Sequence, residues 1–192
     1  TRMMLHIHSD KKLVFENVSP DGYFVDTPAG RHLNPGHAIE AGWFLQHWAQ
    51  RLGRKDIEKT AIEIVRWSHD LGWDREWGGL YYFLDYKGFS PNALEWNMKL
   101  WWPHCEALYA HLLNFSITRD LADWQRFLDT HHYAFSHFRD PKYGEWYGYL
   151  DRRGEVTHRF KGGAYKGCFH VPRALWLVWS LLGKLSIEFY SK

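Results

Sequence analysis

The chain has 192 residues, with 24 basic and 22 acidic side chains and a formal net charge of +2 at pH 7. This near balance argues against a protein that binds nucleic acid by neutralising phosphates. Apolar residues make up 45% and charged residues 24%, which is typical of a globular domain with a sizeable core and not of a disordered chain.

The sequence also lacks any run of about 20 apolar residues that could cross a bilayer, so we expect no membrane partner. No signal peptide is recognisable at its start. The two cysteines, Cys105 and Cys168, are too few for a disulfide framework and fit a reducing compartment. We therefore expect a cytoplasmic protein.

The first predicted element is a hairpin that pairs residues 13–18 with residues 23–25 across a Ser-Pro-Asp-Gly turn. A helix is predicted beyond His37, because apolar residues recur there at spacings of three to five. A second helix is predicted at 55–71. An aromatic-rich run follows at 74–88, DREWGGLYYFLDYKG. It ends in a charged, glycine-containing turn, which predicts half of a β-hairpin.

The same order of elements then repeats. A helix is predicted beyond His104, a second helix at 121–138, an aromatic-rich run at 140–154 (DPKYGEWYGYLDRRG) and a last helix beyond His170. The two aromatic-rich runs align without gaps at an offset of 66 residues and share Asp, Gly, Tyr and Leu at matching positions. The same offset relates His104 to His170, and His37 holds the matching point of the first unit.

Units of a hairpin and two helices cannot bury their apolar faces alone, so neighbouring units must stack. Hairpins and tryptophan-rich loops before each inner helix favour a closed ring over an open solenoid. We therefore predict an all-α fold with short β-hairpins. The expected architecture is an (α/α)6 barrel, of which this chain supplies about three helix pairs, a half barrel.

The first motif with candidate chemistry is RHLNPGHAIEAGW at 31–43. Its Pro-Gly pair is expected to start a helix and to leave His37 in the first turn. The helix dipole is then expected to lower the pKa of His37 and keep it available as a neutral base. Glu40, one turn further on, is placed to orient His37 or to bind a hydroxyl. The alternative is a capping histidine beside an ordinary acid of the first turn.

The second motif, KLWWPHCE at 99–106, brings Trp101, Trp102, His104 and Glu106 together. Tryptophan faces bury the C–H side of a pyranose while nearby polar groups bind its hydroxyls. The motif therefore indicates a sugar site with a base and a carboxylate. The alternative is an aromatic core cluster at the start of a helix.

The third motif is FKGGAYKGCFHVPR at 160–173. Its glycines allow close backbone approach and are expected to bring His170 into a cleft. Arg173, one turn beyond His170, could anchor a carboxylate, and Glu106 is one candidate. Lys161 adds a positive charge. A phosphate loop is not favoured, because the GxxxxGK[ST] order is missing.

Three histidines at equivalent points of three repeated units are expected to converge on one pocket. Two kinds of site could result. Three histidines and an acid could hold a metal ion with an open position. Alternatively, two histidines on opposite faces of a substrate could exchange a proton at carbon.

The strings RHLNPGHAIEAGWF, LEWNMKLWWPHCEA, FRDPKYGEWYGYLDRRG and FKGGAYKGCFHVPRAL closely resemble the C-terminal half of the N-acylglucosamine 2-epimerase family, over residues 13–182. The resemblance implies an (α/α)6 barrel that interconverts N-acetylglucosamine and N-acetylmannosamine through an enediolate. It implies that His37 and His170 are the two catalytic histidines and that Glu106 is an active-site carboxylate. Residues expected to bind substrate are Arg31, Glu40, Trp101, Trp102, His104, Lys161 and Arg173.

The resemblance further implies that no metal or other cofactor is required and that ATP or another nucleotide acts as an allosteric activator. A homodimer is expected. Residues 1–192 would form the C-terminal half of one barrel domain whose N-terminal half is absent. The isolated chain is then expected to be inactive unless a complementary half pairs with it, because a half barrel exposes apolar inner helices.

Other functions stay open at this point. One is a cellobiose or aldose 2-epimerase, or an aldose–ketose isomerase, of the same superfamily, although His104 in WPHCEA favours the N-acyl branch. Another is a non-catalytic, renin-binding-like protein-binding fragment. A metal enzyme or a glycosidase is less favoured, since a glycosidase needs two carboxylates around one bond and only Glu106 stands in an obvious pocket motif.

Overall fold

The computed structural model describes residues 2–190, which are mostly helical. The helices are α1 Pro35–Leu52, α2 Lys55–Gly72, α3 Trp101–Thr118, α4 Leu121–His137 and α5 His170–Tyr190. The other regular elements of this part are a 3-10 turn at Arg2–His6 and the two-residue strands β1 Ile7–His8, β2 Leu13–Val14, β3 His32–Leu33, β4 Leu84–Asp85, β5 Lys99–Leu100 and β6 Tyr149–Leu150. The helices predicted at 55–71 and 121–138 are confirmed.

Local sequence explains where the helices begin and end. The Asn34 side chain accepts a hydrogen bond of 3.0 Å from the main-chain N–H of His37, and a proline occupies the first position of α1. Gly53 ends α1 in the left-handed region, at φ 65°. At α4, the Asp120 side chain accepts from the main-chain N–H of Ala122. The signals that start these helices are therefore short-range.

Helix α3 is the centre of the fold. Its residues from Trp101 to Phe115 are all buried, because α1 and α5 pack on its two sides and α4 packs behind it. Helix α2 packs mainly against α1. Helices α1, α3 and α5 thus form an inner row, with α2 and α4 outside it. This alternation of inner and outer helices is the arrangement expected of stacked helix pairs.

The repeated aromatic-rich runs form the same turn twice. The Oδ1 atom of Asp74 accepts from the main-chain N–H groups two and three residues later, and Asp140 does the same. Gly78 and Gly144 follow at φ 73° and 71°, in the left-handed region that favours glycine. The offset of 66 residues therefore reflects a real structural repeat.

The strands of these runs pair with partners far along the chain. Strand β4 is antiparallel to β3, and β6 is antiparallel to β5. Because each antiparallel helix pair returns the chain to the end where its inner helix starts, the strand after the pair meets the strand before it. These pairings close the units at the end of the bundle where α1 and α3 begin.

The hairpin predicted between residues 13–18 and 23–25 is wrong in its pairing. Strand β2 pairs instead with β1, which precedes it. Leu13 and Phe15 pack with Leu33 in a small apolar cluster. The 23–25 segment joins this cluster through the side chain of Phe24 and not through strand pairing, while Tyr23 and Val25 stay 72% and 37% exposed. Within residues 2–190, no helix has the length and apolar character that a bilayer crossing requires.

Candidate active site

A cleft of about 660 Å³ opens where the first turns of α1, α3 and α5 meet. Five of the predicted site residues line it, namely His37, Glu40, Trp101, Trp102 and His170. Their convergence follows from the inner row of helices, because α3 packs directly against both α1 and α5. The structure therefore brings two of the three histidines of the repeated units together.

The indole of Trp102 lies between the two histidines. Its ring centroid is 5.0 Å from that of His37 and 5.7 Å from that of His170. Trp102 is buried in the floor of the cleft, while the side chains of His37 and His170 remain 54% and 20% exposed. A flat substrate group lying against this indole has an imidazole near either side.

The His170 imidazole is held by a buried carboxylate. His170 Nδ1 is 2.6 Å from Glu106 Oε1, and Arg173 donates to the same oxygen at 2.5 Å. The indole N–H of Trp43 donates to Glu106 Oε2 at 2.8 Å. Because an ionised carboxylate only accepts hydrogen bonds, Nδ1 of His170 carries the proton and Nε2 is left for proton exchange. The contact expected between Arg173 and Glu106 is present.

The His37 imidazole is held by a different carboxylate, which the sequence motifs did not indicate. Its Nδ1 lies 3.2 and 3.1 Å from the two carboxylate oxygens of Glu16. The hydrogen bond to Glu16 raises the pKa of His37; burial opposes this, and the charges of Glu16 and Glu40 add to it. The expectation of a pKa lowered by the helix dipole is therefore wrong, because an adjacent carboxylate outweighs the helix terminus.

Glu40 lines the cleft without touching His37 through a hydrogen bond. It accepts instead from Arg173 at 2.9 Å. The predicted alternatives for Glu40 were to orient His37 or to bind a hydroxyl, and the first role falls to Glu16. Arg173 thus joins the carboxylate of α1 to the carboxylate of α3.

His104 lies outside the cleft, which corrects its expected place among the substrate-binding residues. It is fully buried, with Nδ1 2.6 Å from the Leu100 carbonyl oxygen and Nε2 accepting from the Leu80 N–H at 2.9 Å. Burial lowers its pKa to about 3. His104 is the fourth residue of α3, whereas His37 is the third of α1 and His170 the first of α5. Since each residue turns a side chain by about 100° around the helix, the three cannot share one direction.

Arg31 and Lys161 also lie apart from the cleft. The Arg31 guanidinium pairs with Asp26 and Asp85, each at 3.0 Å, beside strand β4. Lys161 pairs with Asp140 at 2.6 Å and lines a separate, mainly apolar cavity of about 570 Å³. Both cations are engaged in holding the loops together, which is why they do not reach the histidines.

The geometry does not favour a three-histidine metal site, because His104 is buried in the core and both of its ring nitrogens contact main-chain groups. Glu40, Glu106 and His170 place one ligand atom each within 4.8 Å of one another. The guanidinium of Arg173 already binds both carboxylates of that group. A protein cation thus takes the position that a metal ion would need, and the arrangement is better suited to proton transfer.

Several cleft residues were not among the predicted site residues; they come from the aromatic-rich runs and from the loops that follow them. The missed lining residues include Tyr82, Glu95, Met98, Tyr149, His158 and Tyr165. The 66-residue repeat was a usable signal for Tyr82 and Tyr149, since both runs return to the end where α1 and α3 begin. Nothing in the local sequence around Glu16 marked it as a partner of His37.

Comparison with known families and proteins gives consistent matches. A family model described as N-acylglucosamine 2-epimerase (GlcNAc 2-epimerase) matches residues 7–174. The N-acylglucosamine 2-epimerase of Mus musculus is 48% identical over 185 residues, covering 96% of this chain and 44% of the mouse protein. That of Homo sapiens is 45% identical, with coverage of 96% and 43%. The chain therefore spans less than half the length of these relatives, and it matches their C-terminal part.

Solved structures show the same fold at low sequence identity. A sugar epimerase from a ruminal bacterium superposes with a TM-score of 0.75 at 17% identity, covering 92% of this chain and 44% of that one. The cellobiose 2-epimerase of Bacillus thermoamylovorans gives a TM-score of 0.73 at 17% identity, with coverage of 92% and 43%. These likenesses confirm the predicted fold class, a part of an (α/α)6 barrel.

Proposed function

The chain belongs to the N-acylglucosamine 2-epimerase family, and from this premise we propose that its cleft interconverts N-acetylglucosamine and N-acetylmannosamine. The observation that carries the proposal is the pair of imidazoles around Trp102, each with its own carboxylate on Nδ1. Inversion at one carbon needs a base on one face and an acid on the other, and this pair supplies both.

In the proposed mechanism the sugar reacts as its open-chain aldehyde, whose carbonyl acidifies the C2–H bond. One imidazole removes the C2 proton, and the electron pair moves into an enolate whose charge lies on the oxygen at C1 and whose C2 keeps the acetamido group. The second imidazole, in its protonated form, donates a proton to the opposite face of C2. The configuration inverts, and the two histidines return to their starting states by exchanging protons with water.

The remaining contacts suggest which residues support this chemistry. Trp101 and Trp102 offer apolar faces for the C–H side of the sugar chain. Glu40 and Arg173 are proposed to bind hydroxyls or the oxygen at C1, where a guanidinium stabilises developing negative charge. Glu106 holds His170 in the required tautomer. Direct substrate contact is not proposed for Arg31, His104 or Lys161.

We further propose that residues 1–192 act as the C-terminal half of one barrel domain and need a complementary N-terminal half for activity. Two observations support this: the relatives are more than twice as long, and α1 and α5 expose Trp48, Trp176 and Trp179 at 63%, 64% and 65%. A nucleotide activator and a homodimer are proposed only through the family. A cytoplasmic location is proposed because both cysteines are free thiols.

The test is deuterium incorporation at C2 of N-acetylmannosamine and N-acetylglucosamine in heavy water. It uses this chain alone and a fusion that places the N-terminal part of the mouse relative before it. We expect exchange by the fusion and none by the chain alone. His37→Ala and His170→Ala in the fusion should each reduce exchange by about 10²–10⁴-fold. His132→Ala, at an exposed position of α4, is the matched control and should have no effect.

Three outcomes would contradict parts of the proposal. Exchange by the 192-residue chain alone would overturn the need for a second half. Preference for glucose, mannose or cellobiose would place the protein with the aldose epimerases, and ketose formation would make it an isomerase. A folded fusion without exchange at any C2 would leave a binding protein as the better description.

A further inference from the structure

The N-terminal hairpin, formed by β1 and β2, reaches the back of His37. Glu16 follows β2 after Phe15, which is 1% exposed and packs in the cluster with Leu13 and Leu33. Two contacts with His6 fix the main chain at Phe15. The Phe15 N–H donates to the His6 carbonyl at 3.0 Å, and His6 Nδ1 lies 2.9 Å from the Phe15 carbonyl oxygen. The Glu16 carboxylate is therefore carried by an anchored segment.

That carboxylate meets His37 on the side away from the cleft. Both oxygens lie 3.1–3.2 Å from Nδ1. Glu16 also lines a small cavity of about 230 Å³ behind the imidazole, which is distinct from the cleft and from the cavity at Lys161. His37 lines both this cavity and the cleft, whereas Glu16 does not line the cleft. The direct contact of Glu16 with the site is thus its hydrogen bond to His37; at longer range its charge adds to the raised pKa of Tyr82 in the cleft, which is due mainly to burial.

We propose that Glu16 is a positioning residue for the epimerase reaction: it holds His37 with Nδ1 protonated and Nε2 directed to the substrate, and it stabilises the imidazolium. This inference rests on the proposed function of the cleft. It makes the N-terminal hairpin a part of the active site. Glu16 then fixes the Nδ1 proton of His37 in the way that Glu106 fixes that of His170. A carboxylate on the far nitrogen fixes the tautomer and favours the protonated ring.

Charged and titratable groups surround His37 on both sides. Glu16 lies behind it on the hairpin, together with His6 on the 3-10 turn. Glu40 lies one turn along α1 and is paired with Arg173. The other titratable groups that line the cleft with it are His170, Glu95, His158, Tyr82, Tyr149 and Tyr165. Glu16 makes the hydrogen bond that contributes most to raising the pKa of His37, so removing its charge should change this histidine more than removing any other charge in the set.

The experiment compares Glu16→Gln, Glu16→Asp and the unmodified protein in two measurements. The first is an NMR titration of the His37 imidazole in the 192-residue chain. The second is the pH dependence of C2 exchange in the fusion described above. Asp10→Asn is the matched control, because Asp10 lies in the same hairpin and its ion pair within residues 2–190 is with its exposed neighbour Lys11.

For Glu16→Gln we expect the pKa of His37 to fall toward its ordinary value, and the limb of the pH–rate profile that reports His37 to move to lower pH. We expect kcat to fall by about tenfold, a part of what a general acid–base contributes, with KM changed less than twofold because Glu16 does not line the cleft. Glu16→Asp should keep most of the pKa elevation, and Asp10→Asn should change neither measurement.

A merely structural role predicts a lower melting temperature with the His37 titration unmoved, and that result would overturn the inference. An unchanged pKa and an unchanged pH–rate profile in Glu16→Gln would overturn it as well. If the unmodified fusion shows no C2 exchange while Glu16→Gln still lowers the pKa of His37, the epimerase proposal fails and the coupling of Glu16 to His37 stands.

Discussion

The starts of α3 and α5 carry histidines 66 residues apart, yet these histidines have opposite surroundings. His170 stands at the cleft, 20% exposed, with Nδ1 on a carboxylate and Nε2 left for substrate. His104 is fully buried, and main-chain groups occupy both of its ring nitrogens. The same residue type at matching points of a repeat lies at the cleft in one unit and links main-chain groups in the core in the other.

Helix register decides where a histidine lies in this fold. His170 is the first residue of its helix and His104 the fourth, so their side chains leave the inner row in different directions. In α3 the cleft is lined by Trp101 and Trp102, and the buried Glu106 holds His170 of the neighbouring helix by a hydrogen bond. The repeat therefore gives similar helices, and small shifts in register change which side chain of each helix faces the cleft.

The largest effect should come from removing the charge of Glu106, the carboxylate that contacts His170. Glu106→Gln removes a 2% exposed charge that Arg173, His170 and Trp43 share. We expect C2 exchange to fall at least about 100-fold and the free energy of unfolding to fall by about 3 kcal/mol, because Arg173 loses a buried partner. Urea denaturation checks the second value.

The control for Glu106→Gln is Glu63→Gln, which removes a half-exposed partner of Arg66 on α2. It should cost less than about 1 kcal/mol. Equal losses for the two variants would show that Glu106 is not a special site in the fold.

The next effect should come from the buried histidine. His104→Ala leaves the Leu80 N–H and the Leu100 carbonyl without their partner, so we expect a loss of about 1–3 kcal/mol in the free energy of unfolding. The exchange rate per folded molecule should change less than about twofold, since His104 is not at the cleft. A large loss of kcat with unchanged stability would contradict the placement of His104 in the core.

The pH dependence of the free energy of unfolding should distinguish the buried histidines, whose pKa is lowered, from His37, whose pKa is raised. Burial lowers the pKa of His104 to about 3, and burial also lowers the pKa values of His69 and His111. As pH falls from about 6.5, the ordinary histidine pKa, toward 3, the unfolded chain binds these protons first. Stability should therefore fall with pH, by up to about 1.4 kcal/mol per pH unit for each histidine.

His37 should act with the opposite sign, because its pKa is raised in the folded chain. Its contribution is present below the ordinary pKa and is lost as pH rises through the folded value. Thermal unfolding of the unmodified chain, His104→Gln and Glu16→Gln across pH 4–8 checks both signs. A slope that His104→Gln does not reduce would contradict the buried, neutral state of His104.

The smallest effect is expected from Lys161, which lies beside the cavity away from the cleft. Lys161→Met removes the ion pair with Asp140 but no cleft residue. We expect C2 exchange to change less than about threefold, since loop contacts of this kind contribute little to positioning. A loss of C2 exchange comparable to that of His170→Ala would contradict the position of Lys161 outside the cleft and would indicate that it contacts the substrate.

The sequence predicted the parts of the site that depend on neighbouring residues. His37, Trp101, Trp102 and His170 were expected at the cleft because each lies in the first turn of a helix or beside it, and helix starts can be recognised locally. The contact between Arg173 and Glu106 was also expected. The prediction is wrong for His104, because a repeat of 66 residues does not give its members the same direction when the helices begin at different points relative to their histidines.

The helices, the repeat and the aromatic-rich turns follow from local sequence, because helical hydrogen bonds join residues four apart and the Asp and Gly of each turn act within a few residues. Tertiary packing sets which first-turn side chains face the cleft, the pairing of β4 with β3, and the position of Glu16 behind His37. Each depends on how segments far apart in the chain bury their apolar faces together, as Phe15 does with Leu33, and no local pattern encodes that packing.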